Sequence, residues 1–378
     1  MDFSFTEEQQ EVAALARRIL EDKVDHQSLT ELEASGAPRF DRDLFAELAK
    51  ANLLGIGLPE SAGGSGLGLL AQSLVLQEVG RTLAPVPYLA SIAMAADCIA
   101  LCGTPAQIDR WVRPAIEAQV VLTAAIAEPW HRDREHPTTT AKRVADGWQL
   151  DGVKTAVPAA TIADAIIITA SIVGEGAVVA AFIVPAAADG MTISAQDTTD
   201  REPYGYIDLF GVLVGADAMI GGPDADGAAV VAHLIERATV GLCALQLGIT
   251  EKALVSTADY TKQRVQFDRQ IATFQAVGHR MADAYIDVEG IRLTLWQAIY
   301  TIECGGDATI DVQTAKFWAA EGGHRIAHAI VHLHGGMGIA IEYPIHRYFA
   351  FAKQIEFSLG GANEQALRIG ASFAASPV

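Results

Sequence analysis

The sequence predicts an α+β chain in three parts: an N-terminal helical domain over 1–119, a middle β-barrel domain over 120–227 and a C-terminal four-helix bundle over 228–378. Three observations predict it. Helical rhythm runs through the first part. It gives way to short β-rich runs punctuated by glycine, and then long apolar-faced helical segments return.

In the first part, "TEEQQEVAALARRIL" reads as an amphipathic helix with Thr6 as N-cap and acidic residues in its first turn. "RDLFAELAKANLLG" is a second helix, ended by Gly55. "PESAGGSGLG", Pro59 to Gly68, is a loop, and "LLAQSLVLQEVGRTL" and "YLASIAMAADCIALCG" follow as helices.

In the middle part, "GWQLDGVKTAVP" alternates in polarity around an Asp-Gly pair, which reads as two strands and a turn. "DAIIITASI", "AVVAAFIVP", "MTISAQDTT" and "YIDLFGVLVG" continue the β pattern. Ala165 to Ala188 is the longest apolar stretch, but Gly174, Glu175 and Gly176 interrupt it, so it reads as a strand pair and not a membrane span.

In the last part, three long helices are predicted over 228–264, 274–302 and 311–336, and a weaker one from near Asn363. The stretch "HLHGGMGIAIEYP" breaks the third. Paired glycines there fit either a helix C-cap or a backbone that must come close to a flat or charged ligand.

The chain has 378 residues, about half of them apolar, and a formal charge of -19. That acidity excludes a nucleic-acid partner, because phosphate binding needs a basic face. It also disfavours a purely electrostatic hold on anionic membranes. Four cysteines are too few for a disulfide framework, and Cys98 and Cys102 lack further ligands at zinc spacing, so no metal is expected. The N-terminus lacks the charged start and apolar core of a signal peptide, and a cytoplasmic location is expected.

Four segments in order resemble the acyl-CoA dehydrogenase family: "LPESAGGSGLG", "AIAEP", "RVQFDRQIATFQAVGHRMAD" and "HLHGGMGIAIEYPIHRYF". The resemblance implies FAD as cofactor, an acyl-CoA substrate, an electron-transfer flavoprotein as redox partner and a homo- or hetero-oligomer built as a dimer of dimers. It implies that Arg264 binds the FAD diphosphate, which suits the forked donors of a guanidinium. It also implies that Phe267 and Gln275 lie against the cofactor. Gly335 and Gly336, with His332 where many relatives carry Gln, would approach FAD held by a neighbouring subunit.

This chain departs from the family pattern at several positions. Asp268 stands where glycine is usual and would repel a diphosphate. Ala127, before Glu128-Pro129, replaces a hydroxyl residue beside the flavin. "GVKTAVPAA" lacks the usual tryptophan and Thr-Asn, leaving backbone groups to meet the ring. "GVKTAVP" and the Ala-Asp that follows it resemble a branch that includes heteromeric enzymes acting on CoA thioesters of sterol side chains.

The reaction implied removes a proton α to the thioester, which calls for a glutamate base. Many relatives place it before a Gly-Thr pair near the C-terminus, and here that position is Leu359, whose backbone N–H would still donate to the thioester oxygen. Other relatives carry the base on the first long C-terminal helix before an arginine, which points to Glu236 ahead of Arg237. Counted from Phe267, Glu236 falls two residues early, a rotation of ~200° on a helix. Glu356 and Glu364 are reserve candidates. The expected function is FAD-dependent α,β-dehydrogenation of an acyl-CoA, and the branch resembled implies a bulky, branched or sterol-derived acyl group. The alternatives are a catalytically degenerate subunit of a heteromer and a non-redox thioester enzyme.

Overall fold

The computed structural model describes residues 5–375. Its packing divides into two units that interleave along the sequence. One unit draws on Met1–Ala34, Ser73–Ala84 and Thr239–Val378; the other is Ser35–Gln72 with Pro85–Ala238.

Among the described residues, twelve helices run in the order α1 (Glu7–Lys23), α2 (His26–Ala34), α3 (Arg42–Lys50), α4 (Gly68–Thr82), α5 (Asp97–Cys102), α6 (Pro105–Gln107), α7 (Arg113–Ile116), α8 (Gly227–Gln263), α9 (Gln275–Glu303), α10 (Thr309–His334), α11 (Ile345–Phe357) and α12 (Ala362–Ala375). Thr6 caps α1 as expected, in a reciprocal capping box with Gln9, and Val12, Ala16 and Leu20 form its buried stripe. The wide-turn segment Tyr88–Ala96 feeds directly into α5.

In the first unit, α10 is the central helix, against which α9, α11 and α12 pack. α4 and α8 cross at glycines. A Cβ on Gly248 would lie 1.8 Å from the Gln77 carbonyl oxygen, and one on Gly80 2.3 Å from that of Leu245, so only glycine permits the approach. Two arginines pin the N-terminal helices here. Arg17 pairs with Glu78 at 2.7 Å, and the buried Arg347 holds Glu33 through two bonds of 2.9 Å.

The second unit holds α3 and a curled seven-stranded sheet, an open half-barrel. Its strands are β1 (Leu122–Ala125), β2 (Thr140–Val144), β3 (Gly147–Val157), β4 (Ala165–Ile172), β5 (Val179–Pro185), β6 (Met191–Gln196) and β7 (Tyr204–Gly215). β4 pairs with β5 on one side and in parallel with β1 and the start of β2 on the other; β2, β3, β7 and β6 continue the sheet antiparallel. Trp148, Leu150, Ile166, Ile168, Phe182 and Ile207 fill its core.

The β pattern differs from expectation at one point. Asp151 and Gly152 do not turn between two strands. They lie inside the single strand β3, opposite a bulge in β7: the two steps from Leu150 to Gly152 face the three from Val212 to Leu209. The extra residue in β7 lets Leu209 and Val212, three apart, both face the core. The hairpin turn lies earlier, at Ala145 and Asp146 between β2 and β3. The short helix α2, the strands β1 and β2, and α11 were not expected from sequence. α11 follows Pro344 immediately, so its start reads as part of the glycine motif.

Candidate functional site

α8 ends at Gln263, and Arg264 begins an exposed hairpin of β8 (Val265–Gln266) and β9 (Arg269–Gln270). The two turn residues, Phe267 and Asp268, have φ of 55° and 62°. A two-residue turn left-handed at both positions suits the twist of a hairpin, and aspartate tolerates that region better than most residues. The backbone therefore explains why Asp268 can replace glycine. Phe267 is 88 % exposed, which rules out a core role. The hairpin closes on itself, with Ile271 N–H donating to the Arg264 carbonyl at 2.9 Å, and Arg269 stacks over Phe274. Gln275 is the exposed first residue of α9, whose N-cap Phe274 offers no side-chain cap to the first-turn N–H groups. Such a helix start favours anions.

Tyr260, one turn before Arg264, ties this hairpin to the end of α10. Its ring stacks on His334 at 4.3 Å, and its hydroxyl donates to the His334 carbonyl at 3.3 Å. Gly335 (φ 59°) ends α10 and donates its N–H to the His332 carbonyl. A Cβ on Gly335 or Gly336 would meet nothing within 4 Å. The glycine pair thus terminates the helix and also leaves an open backbone shelf. His332 is exposed and its Nδ1 accepts from the Arg280 guanidinium. The sequence by itself gave neither Arg280 nor His334 a role.

Leu359 occupies the turn between α11 and α12 with φ 53°. The fully buried Lys316 holds this turn. Its Nζ donates to the carbonyls of Ile355 (3.0 Å), Glu356 (3.2 Å) and Gly360 (3.0 Å), satisfying the end of α11 where the helix dipole favours a cation. Gln365 Nε2 donates to the Leu359 carbonyl at 3.1 Å. Among the described residues, the Leu359 N–H is donated to no acceptor. The reserve carboxylates are engaged: Glu356 with Lys353 and His324, and Glu364 with Arg368.

Ala127 and Glu236 belong to the other unit. Glu236 lies 3.7 Å from Arg237, whose Nε is 3.2 Å from Asp97, itself bonded to His233 at 2.8 Å. α8 is an unbroken α-helix from Gly227 to Gln263, with no bulge to correct the two-residue offset of Glu236. In the β-domain, the Ala127 carbonyl accepts from Thr155 N–H at 3.0 Å. Ala156 stands in the left-handed region, and its N–H donates to Gln196 Oε1 at 2.7 Å. Behind this wall Glu128 is buried with Lys154, and also accepts from Thr138 and Thr139.

The N-terminal domain of acyl-CoA dehydrogenases matches residues 6–119, and their C-terminal domain matches residues 225–374. Acyl-CoA dehydrogenase FadE27 of Mycobacterium tuberculosis is 41% identical over 385 aligned residues, covering 100% of both chains. The chain belongs to the acyl-CoA dehydrogenase family. Among solved structures of the family, a chain of the ChsE4-ChsE5 complex from Mycobacterium tuberculosis superposes with a TM-score of 0.93 at 40% identity, covering 100% of each chain. A variant of the Tcur3481-Tcur3483 steroid ACAD gives 0.90 at 41% identity, covering 98% of this chain and 99% of that one.

Acyl-CoA dehydrogenases are oxidoreductases of CH–CH groups with FAD as cofactor. The two units differ in how well they fit that group. The hairpin and glycine shelf fit it: an exposed guanidinium, an uncapped helix start, an open backbone and a buried imidazole nitrogen of His334 without a partner among the described residues. The β-domain wall does not fit the flavin ring. Ala127 has no hydroxyl, Pro158 has no N–H, and the N–H of Ala156 is already given to Gln196.

Proposed function

We propose that this chain is one subunit of a heteromeric acyl-CoA dehydrogenase, acting on a bulky sterol-derived CoA thioester, in which it supplies cofactor-binding surface and a partner chain supplies the catalytic base. The observation that carries the reading is Leu359: a side chain that cannot accept a proton stands at the usual place of the base. The missing donors of the β-domain wall support it, as do the two-chain names of the structures it resembles. The word steroid in one of those names supports the substrate class.

In this reading Arg264 neutralises the diphosphate of FAD, whose ring is seated on the partner. Gly335 and Gly336 let the dinucleotide lie against main chain, with Gln275 and His332 beside it as polar contacts. Phe267, exposed on the hairpin tip, covers the cofactor and excludes water. FAD held there would supply the hydride acceptor for the β carbon and a route for the electrons to an electron-transfer flavoprotein.

Visible spectra test the proposal. The chain purified alone should be colourless, and the complex recovered through a tag on it should carry flavin that an acyl-CoA bleaches. In that complex Glu236→Gln should leave turnover within about twofold, whereas loss of a general base costs ~10²-fold or more. A yellow isolated chain that turns over a thioester and is silenced by that substitution would show instead that Glu236 is the base.

A further inference from the structure

Near its end, β3 pairs with β7 through Lys154 opposite Ile207 and then Val157 opposite Gly205, so three steps on β3 face two on β7. The surplus residue makes a bulge. Ala156 lies in it with φ 49°, in the left-handed region that alanine enters only at a cost. Strain of this kind collects where a fold holds groups in place for a ligand. Ala156 is exposed, and its N–H points at a side chain.

That side chain is Gln196, the last residue of the outermost strand β6. Its Oε1 accepts from Ala156 N–H at 2.7 Å, and its Nε2 donates to Thr155 Oγ1 at 3.2 Å. A backbone N–H only donates, which fixes the amide: its oxygen faces Ala156 and its nitrogen faces Thr155. A C=O next to an N–H is also what a flavin ring presents on its pyrimidine side. One side chain of this chain therefore gives the bulge the acceptor and donor that a flavin would bring. Ala127 and Pro158 only withhold partners from the ring, whereas Gln196 occupies the wall.

We propose that Gln196 is a built-in plug of the flavin wall, which excludes the ring from this subunit and leaves it to the partner. The inference rests on the heteromeric reading above and names the residue that decides which subunit seats the ring.

The test uses the full chain purified alone and titrated with FMN, which carries the ring without the adenosine half. Quenching of flavin fluorescence reads the binding. Gln196→Ala opens the bulge, and Gln196→Glu keeps an acceptor oxygen for Ala156. Gln196 is half-buried at a strand end, so both variants should fold, and a thermal melt checks this. Gln196→Ala should bind FMN about tenfold more tightly than wild type, the scale of one hydrogen bond set free. Gln196→Glu should bind it no more tightly than wild type. Hydrogen exchange at the Ala156 amide gives a readout that a purely structural role would not move: it should speed up in Gln196→Ala and slow again when FMN is added. An alanine variant that binds FMN no better than wild type, or leaves Ala156 unprotected by it, would make Gln196 a strand-end cap and overturn the proposal. The heteromeric reading stands in that case if the isolated wild-type chain is colourless. A wild-type chain that alone holds flavin as tightly as Gln196→Ala overturns both.

Discussion

Lys154 Nζ lies 2.8 Å from Glu128 Oε1, with both side chains sealed inside the half-barrel. Thr169 gives the ammonium a second partner at 3.0 Å, while Thr138 and Thr139 donate to the carboxylate. A buried ion pair with its remaining hydrogen-bonding capacity satisfied is costly to break from one side only.

Lys154→Met should therefore destabilise the fold by ~3–5 kcal/mol, because it leaves a buried carboxylate without its cation. Adding Glu128→Gln to that variant should recover part of the loss. Urea unfolding followed by circular dichroism checks both; a single variant as stable as wild type would show the pair to be dispensable.

The same pair sets an acid limit. Burial alone would raise the Glu128 carboxyl, but the Lys154 charge and the hydrogen bonds from Lys154, Thr138 and Thr139 hold it down at about 2, against 4.5 unperturbed. Burial pulls Lys154 down to about 8 against the opposing pull of Glu128, so at neutral pH both are charged. A depressed carboxyl stabilises the fold above its unfolded pKa, and that stability is lost as pH falls through the folded value. Wild type should lose roughly 3 kcal/mol between pH 4.5 and 2 from this group. In Lys154→Met this component of the acid limb should vanish, as unfolding curves across that range would reveal.

Arg264→Ala should weaken FAD binding to the complex by about 10–100-fold, the worth of a charge-assisted bond. The residue is exposed, so the melting temperature of the isolated chain should not move. Flavin retained after gel filtration gives the first readout and a thermal melt the second.

Gly336→Leu separates folding from binding. Nothing lies within 4 Å of the added Cβ, so the isolated chain should fold as wild type. The side chain would then stand on the shelf meant for the cofactor, and the complex should lose its flavin absorbance. Full flavin content in this variant would count against the shelf.

Lys316→Met should leave the carbonyls of Ile355, Glu356 and Gly360 without their shared donor. A loss of about 1–3 kcal/mol is expected from buried acceptors left unpaired. Hydrogen exchange should speed up first around the turn at Leu359. Uniform protection there would show that Gln365 alone holds the turn.

Much of the architecture was legible because periodicity carries it. The three long helices of the last part begin and end within a few residues of their expected limits, since their apolar rhythm is long and uninterrupted. The β-domain was legible from β-rich runs between glycines. The Asp151-Gly152 pair misled, because the same dipeptide can make a tight turn or run on within a strand, and only the pairing with β7 decides between them. Helix α11 was hidden by Pro344 and the glycine motif ahead of it.

By itself the sequence determined the family, the order of helical and β segments, and the loss of a proton acceptor at Leu359, because these depend on residue identity and spacing. Only the tertiary structure decided how far each feature could act. It showed that Asp268 sits where a left-handed turn admits it, that Phe267 is open and not core, and that Gln196 has taken the Ala156 N–H. It also left His334 with a buried nitrogen facing no partner among the described residues. Those outcomes depend on which distant atoms compete for each donor, acceptor and surface, and one-dimensional spacing does not encode that competition.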